Sequence, residues 1–111
     1  MFTIKMYNAN DFKTKVIIED VLYILHFGWN GYNWSMDIRD NKNNDIVRNI
    51  ALVPNFPLLI QHQRHLDIKG QLLAIRNDGQ GSIGRNDFID GKASVVYMSL
   101  EDLKNAVQTN I

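Results

Sequence analysis

The sequence predicts a mainly β fold, a small antiparallel β-barrel or sandwich with a short C-terminal helix. Three features carry that prediction. Large apolar and polar residues alternate strictly through Trp34-Ser35-Met36-Asp37-Ile38-Arg39, the period of a strand that is wet on one face. Runs rich in Val, Ile, Tyr, Phe and Trp are separated by clusters of Asn, Asp and Gly, the residues of tight reversals. A helical stripe with its own start signal occurs at the C-terminal end, behind a Ser-x-x-Asp signal at Ser99 and Asp102, where each side chain reaches the other's backbone N–H.

The first strand pair begins at Lys13 and passes through Glu19-Asp20 into a run ending at Asn30. In that run Tyr23, Leu25, Phe27 and Trp29 share one face, which is the core side, and Leu22, Ile24 and His26 share the other. Leu22 and Ile24 are apolar as well, so this strand is expected to be covered on both sides for part of its length. Glu19-Asp20 reads as a two-residue turn without the glycine that favours primed hairpins. Gly28, Asn30, Gly31 and Asn33 supply a second reversal, because Gly and Asn tolerate positive φ. Trp34 to Arg39, the polar turn Asp40 to Asp45 and a strand from Ile46 to Val53 complete a meander.

Pro54-Asn55-Phe56-Pro57 takes the chain out of the sheet, since proline donates nothing to a ladder. A short helical turn is expected over Leu58 to Arg64, plugging one end of the sheet. Gln71 to Arg76 is the next strand, Asn77 to Gly91 a glycine-rich loop, and Lys92 to Met98 the last strand. Leu100 to Val107 follows as a helix with Leu100, Leu103 and Val107 as its apolar stripe.

Composition narrows the classes. At 111 residues the chain has the size of one domain. Its apolar fraction of 45% and charged fraction of 22% are those of a globular protein. Twelve basic residues balance twelve acidic ones, so no bulk field draws nucleic acid or an anionic membrane. Without cysteine there is no disulfide framework, thiolate nucleophile or sulfur-ligated zinc. No apolar run reaches the roughly 18 residues that span a bilayer. The first residues lack the basic and apolar regions of a secretory signal.

Several motifs invite chemistry and fall short of it. Gly79-Gln80-Gly81-Ser82-Ile83-Gly84 has the spacing of a dinucleotide turn, but Arg85-Asn86-Asp87-Phe88 and more turn residues stand where the helix would have to begin. Asp78, Asp87 and Asp90 lack calcium-loop spacing and read as turn acids. His62 and His65 lie three apart without an evident third ligand, and read as polar residues of a connector. His26 reads as a hydrogen-bonded, partly buried histidine rather than a general base, because no carboxylate occupies a matched position nearby in sequence. Neither Ser82 nor Ser99 sits in a nucleophile elbow. Trp29, Tyr32 and Trp34 would make a stacking surface if exposed, and hairpin packing if not.

The order of these signals resembles the baseplate plug family of contractile-tailed cyanophages. The resemblance is carried by Leu25-His26-Phe27-Gly28-Trp29-Asn30 with Trp34-Ser35-Met36-Asp37-Ile38, by Leu52-Val53-Pro54-Asn55-Phe56-Pro57-Leu58-Leu59, by Gly70-Gln71-Leu72-Leu73-Ala74-Ile75, and by Gly84-Arg85-Asn86-Asp87-Phe88 with Val95-Val96-Tyr97. It runs from about Val16 to Leu103. His26 stands where an arginine or similar residue is frequent in the family and Asn86 where an acid is common, so any salt bridge that those positions make to a neighbouring subunit in the family must be replaced here.

The resemblance implies a structural part of a phage or prophage tail baseplate, made in the host cytoplasm and placed in the virion. There it would plug or organise the hub channel through contacts with hub, spike or tube-initiator proteins and with its own copies. It implies no enzyme, cofactor, metal, membrane or nucleic acid. The residues expected at interfaces are Trp29, Tyr32, Phe56, Arg85, Asp87 and Phe88. A free-standing β-barrel module binding peptide, glycan or nucleic acid is the alternative, and it requires an exposed aromatic groove at Trp29, Tyr32 and Trp34.

Overall fold

A computed structural model describes residues 1–77 and 81–109. Among these, seven strands form two antiparallel sheets: β1 (Phe2–Ile4), β2 (Asp11–Ile18), β3 (Val21–Trp29), β4 (Trp34–Arg39), β5 (Asp45–Ala51), β6 (Gln71–Arg76) and β7 (Ala93–Met98). One sheet is the meander β2-β3-β4-β5 and the other has the order β1-β7-β6. Helix α1 (Leu100–Thr109) follows β7.

The sheets do not close into a barrel. Their backbone circuit is joined on one side only, where Pro54 and Pro57 bridge to Ala74 and Leu73 of β6. At the other side β2 and β1 are both terminal strands, and residues 5–10 between them form no strand. β1 is absent from the sequence prediction because three residues are too few to show a period. Its partner, β7, lies far along the chain, with Phe2 opposite Tyr97 and Ile4 opposite Val95.

The two-residue turn expected at Glu19-Asp20 joins β2 to β3, and it is of a primed type despite having no glycine. Glu19 and Asp20 both adopt positive φ, 53° and 68°, as a primed two-residue hairpin requires. The hairpin closes with Ile18 opposite Val21, which puts Phe12, Thr14, Val16 and Ile18 of β2 on the side of Tyr23, Leu25 and Phe27. Leu25, Phe27, Met36, Ile38, Leu59, Leu72 and Val95 are fully buried between the sheets. Ile24 on the opposite face is buried too, as the two-sided apolar pattern of β3 predicts.

The helical turn expected over Leu58 to Arg64 does not form; residues 58–65 are a series of turns. The Leu58 N–H donates to the Leu72 carbonyl (2.9 Å), and the Leu59 N–H donates to Oε1 of buried Gln71 (3.1 Å). With its first N–H groups turned toward β6, and Leu58 and Leu59 both buried, the segment packs as a cover on the sheet, and its own bonds are separate turns from His62 to Leu59 and from His65 to His62 rather than a continuous helix. The strand expected to reach Val53 ends at Ala51, where the Val53 N–H turns back onto the Ala51 carbonyl (3.0 Å).

The C-terminal helix is capped as its sequence predicts. The Asp102 N–H donates to Ser99 Oγ and the Ser99 N–H to Asp102 Oδ2, both at 3.1 Å. Of the expected stripe, Leu103 is half-buried and Leu100 is exposed; the Val107 side chain lies outside the described residues.

Candidate interface and the contacts that shape it

Trp34 organises the end of the molecule that carries most of the expected interface residues. Being opposite Trp29 at the mouth of the β3/β4 hairpin, it points into the core with only 3% of its surface exposed. Phe12, Trp29 and Phe88 surround it with ring centroids at 6.0, 5.6 and 5.7 Å. These are tilted and edge-on arrangements of the kind aromatic pairs prefer. Its indole N–H donates to the Gly84 carbonyl (3.1 Å), fastening the loop after β6 to the meander.

That loop is held by Asp87. Its Oδ2 accepts the Arg76 guanidinium (2.5 Å) and the Gly84 N–H (2.6 Å), while Arg76 also donates to the Ser82 carbonyl (2.8 Å). Arg85 lies over the Trp34 ring and donates to Asn10 and Asn8. So Arg85, Asp87 and Phe88, three of the residues expected at an interface, form intrachain contacts, and Trp29 is half-buried against Trp34. Tyr32, 82% exposed at the hairpin tip, and Phe56, 45% exposed, point outward. The exposed aromatic groove that a free-standing binding module would need at Trp29, Tyr32 and Trp34 is therefore not formed.

The other motifs resolve in the same direction. Gly79, Gln80 and Asp78 lie outside the described residues. Residues 85–90 after Gly84 form turns and the next regular element is β7, so no helix N-terminus faces that glycine. Among the described residues no three His, Asp or Glu side chains are arranged so that they could hold a metal ion.

Two polar clusters escaped the sequence. On the solvent face of the meander His26 Nε2 meets Asp11 Oδ1 at 2.7 Å and Nδ1 meets Asp37 Oδ2 at 3.1 Å. The carboxylates that sequence spacing does not provide come from the adjacent strands, Asp37 directly opposite on β4 and Asp11 diagonally on β2. Register, which adjacency in sequence does not reveal, brings them together. Burial opposes ionisation of Asp37, but the Asn49 N–H, His26 and Arg39 outweigh it and hold the carboxyl below the ordinary aspartate range.

The second cluster joins the two sheets. Glu19, at the β2/β3 turn, accepts the N–H groups of Lys69 (2.9 Å) and Gly70 (2.8 Å) and the Tyr97 hydroxyl (2.7 Å). Burial works against the charge, yet these three donors hold the Glu19 carboxyl below its ordinary value. Burial, together with donation to Glu19, pushes the Tyr97 hydroxyl upward. A carboxyl with a lowered folded-state value contributes stability that is complete above its unfolded value and is lost as the pH falls. Thermal melts are therefore expected to be flat from about pH 5 to about pH 9, to drop between about pH 5 and pH 3, and to fall again above about pH 10 as the upward-shifted Tyr97 hydroxyl ionises. Glu19→Gln should flatten part of that acid limb and cost about 1 kcal/mol at neutral pH, the low end for bonds to a charged group at a solvent-screened site.

Two antiparallel sheets, joined along one side and tied by a turn carboxylate, define a small β domain whose charged loop residues serve its own architecture. A family profile described as the cyanophage baseplate Pam3 plug gp18 matches residues 1–101 of this chain. The chain belongs to that family of structural phage baseplate components. No curated protein matches it.

Proposed function

We propose that this protein is a structural part of a contractile phage or prophage tail baseplate, where it helps to plug or organise the hub channel through contacts with hub, spike or tube-initiator proteins and with further copies of itself. The observation that carries this reading is the family match over residues 1–101. The fold suits the role. Four aromatic and charged residues, Trp29, Arg85, Asp87 and Phe88, brace the hairpin and loop from within, and Tyr32 and Phe56 are left open to a neighbour. Around Phe56 the exposed apolar residues Val53 and Ile60 lie beside polar Asn49, Gln61 and His62, and such a mixed interface is the kind that separates when a channel opens.

The test is a tail preparation from the phage or prophage that encodes the chain. Mass spectrometry should find the protein in purified tails, and electron microscopy should place it at the hub. Tails made without it should lack density there. A protein absent from intact tails overturns the reading.

A further inference from the structure

Sheet edges decide which neighbours a β domain can accept, because an unpaired edge presents a row of free N–H and C=O groups. Three of the four edges here are obstructed. β6 is covered by residues 54–58, with the Asn55 N–H on the Ala74 carbonyl and the Leu58 N–H on the Leu72 carbonyl. β5 is broken by irregular register against β4, and Asn49, at φ 58°, turns its N–H inward onto Asp37. β1 has only three residues. β2 is eight residues long, regular in register and terminal in its sheet.

The groups that β2 presents follow from one hydrogen bond. The Trp29 N–H donates to the Asn10 carbonyl at 2.7 Å, and Asn10 is one step beyond the pairing of Asp11 with Gly28. Hydrogen-bonded pairs alternate in an antiparallel ladder, so Phe12, Thr14, Val16 and Ile18 bond to β3. The backbone groups of Asp11, Lys13, Lys15 and Ile17 consequently point away from it. Their side chains are also exposed, Ile17 by 64%.

We infer that β2 is the docking edge for an extended strand of a different protein, antiparallel to it, that reads apolar-x-acid-x-acid. The acids face Lys15 and Lys13 and the apolar residue faces Ile17. Charge identifies the occupant. Every antiparallel pairing of β2 with a second β2 that engages three or more outward positions sets a lysine opposite a lysine, and like charges directly opposed are destabilising. Nor can another segment of this chain serve in a second copy, since no two of its acidic residues are spaced i, i+2. The inference rests on the baseplate reading only for where such a strand comes from.

The test uses the full chain, isotope-labelled, with a Thr-rich peptide of about eight residues, a typical strand length, carrying the Ile-x-Glu-x-Glu pattern. Amide shifts should concentrate on Asp11–Ile18, and hydrogen exchange should slow at Lys13, Lys15 and Ile17. The same peptide with Lys for Glu should bind about tenfold more weakly, as opposed charges across two strand pairs require. Lys15→Pro removes an outward N–H and no ladder bond, so it should keep the fold and abolish binding. If that variant does not fold, the charge reversal Lys13→Glu/Lys15→Glu must switch preference to the lysine peptide. Equal binding of both peptides, shifts elsewhere, no binding at millimolar peptide, or a binding-competent Lys15→Pro overturns the inference. A baseplate in which β2 faces solvent overturns it too while leaving the tail role intact, whereas absence from tails overturns the tail role alone.

Discussion

Gly70→Ala is expected to lower the thermal midpoint by about 10 °C or more, the shift that follows from about 3 kcal/mol in a domain near this size. Gly70 is buried where the chain enters β6. A Cβ there would collide with the Met98 carbonyl and lie 2.8 Å from the Tyr97 ring and hydroxyl. The Met98 carbonyl is backbone, paired in register with Gln71, so it cannot turn aside as a flexible side chain would. Tyr97 is tied to Glu19, and so is Gly70's own N–H. Displacing the chain to admit a methyl group would therefore strain the β6/β7 pairing and loosen the Glu19 clamp at once. Calorimetry on Gly70→Ala and on Glu19→Gln separates the two: the glycine variant should lose several times more. A Gly70→Ala protein that melts within a degree or two of the parent would mean that the entry to β6 yields, contrary to its contacts.

That glycine illustrates what could be read from the sequence and what could not. The meander was legible because its alternation, 34–39 above all, is enforced by one buried face, and the same holds for the Ser99–Asp102 cap, a purely local device. β1 and the cover formed by residues 54–65 were not legible, since both are decided by partners far along the chain: Tyr97 and Val95 for one, Leu72 and Gln71 for the other. The candidate interface divides the same way. Tyr32, at a turn of Asn and Gly residues, is outward as its neighbours suggest. Asp87 and Arg85 look like free surface charges in sequence, and only the fold shows Arg76, Gly84 and Asn10 at their heads. Gly70 resembles any other loop glycine until β7 is laid beside it. The carboxylates around His26 needed strand register, since Asp37 and Asp11 come beside it only through the pairing of β3 with β4 and β2.

Trp34→Ala should produce a loss of similar or greater size, about 3–5 kcal/mol, the range for emptying a buried aromatic site. Phe12, Trp29 and Phe88 all pack on that ring, and Phe12 and Trp29 cannot move inward to fill a deletion without leaving β2 and β3. Trp34→Phe distinguishes packing from hydrogen bonding. Phenylalanine keeps a ring among the same neighbours but leaves the Gly84 carbonyl without its indole donor, so it should cost about 1–2 kcal/mol. Urea titrations should show both variants with lowered midpoints, the alanine variant far more so. A nearly unchanged slope would report loss of stability without a change in the surface exposed on unfolding. The consequences for the loop differ from those for the core. Gly84 is also held through its N–H to Asp87, which stays on Arg76, so in Trp34→Phe the loop loses only its bond to the indole and residues 81–91 should exchange their amides only somewhat faster. In Trp34→Ala the platform under Arg85 disappears as well, and the same amides should lose most of their protection. If the loop stays equally protected in both, Arg76 and Asp87 hold it without help from the indole, and Trp34 matters only to the core.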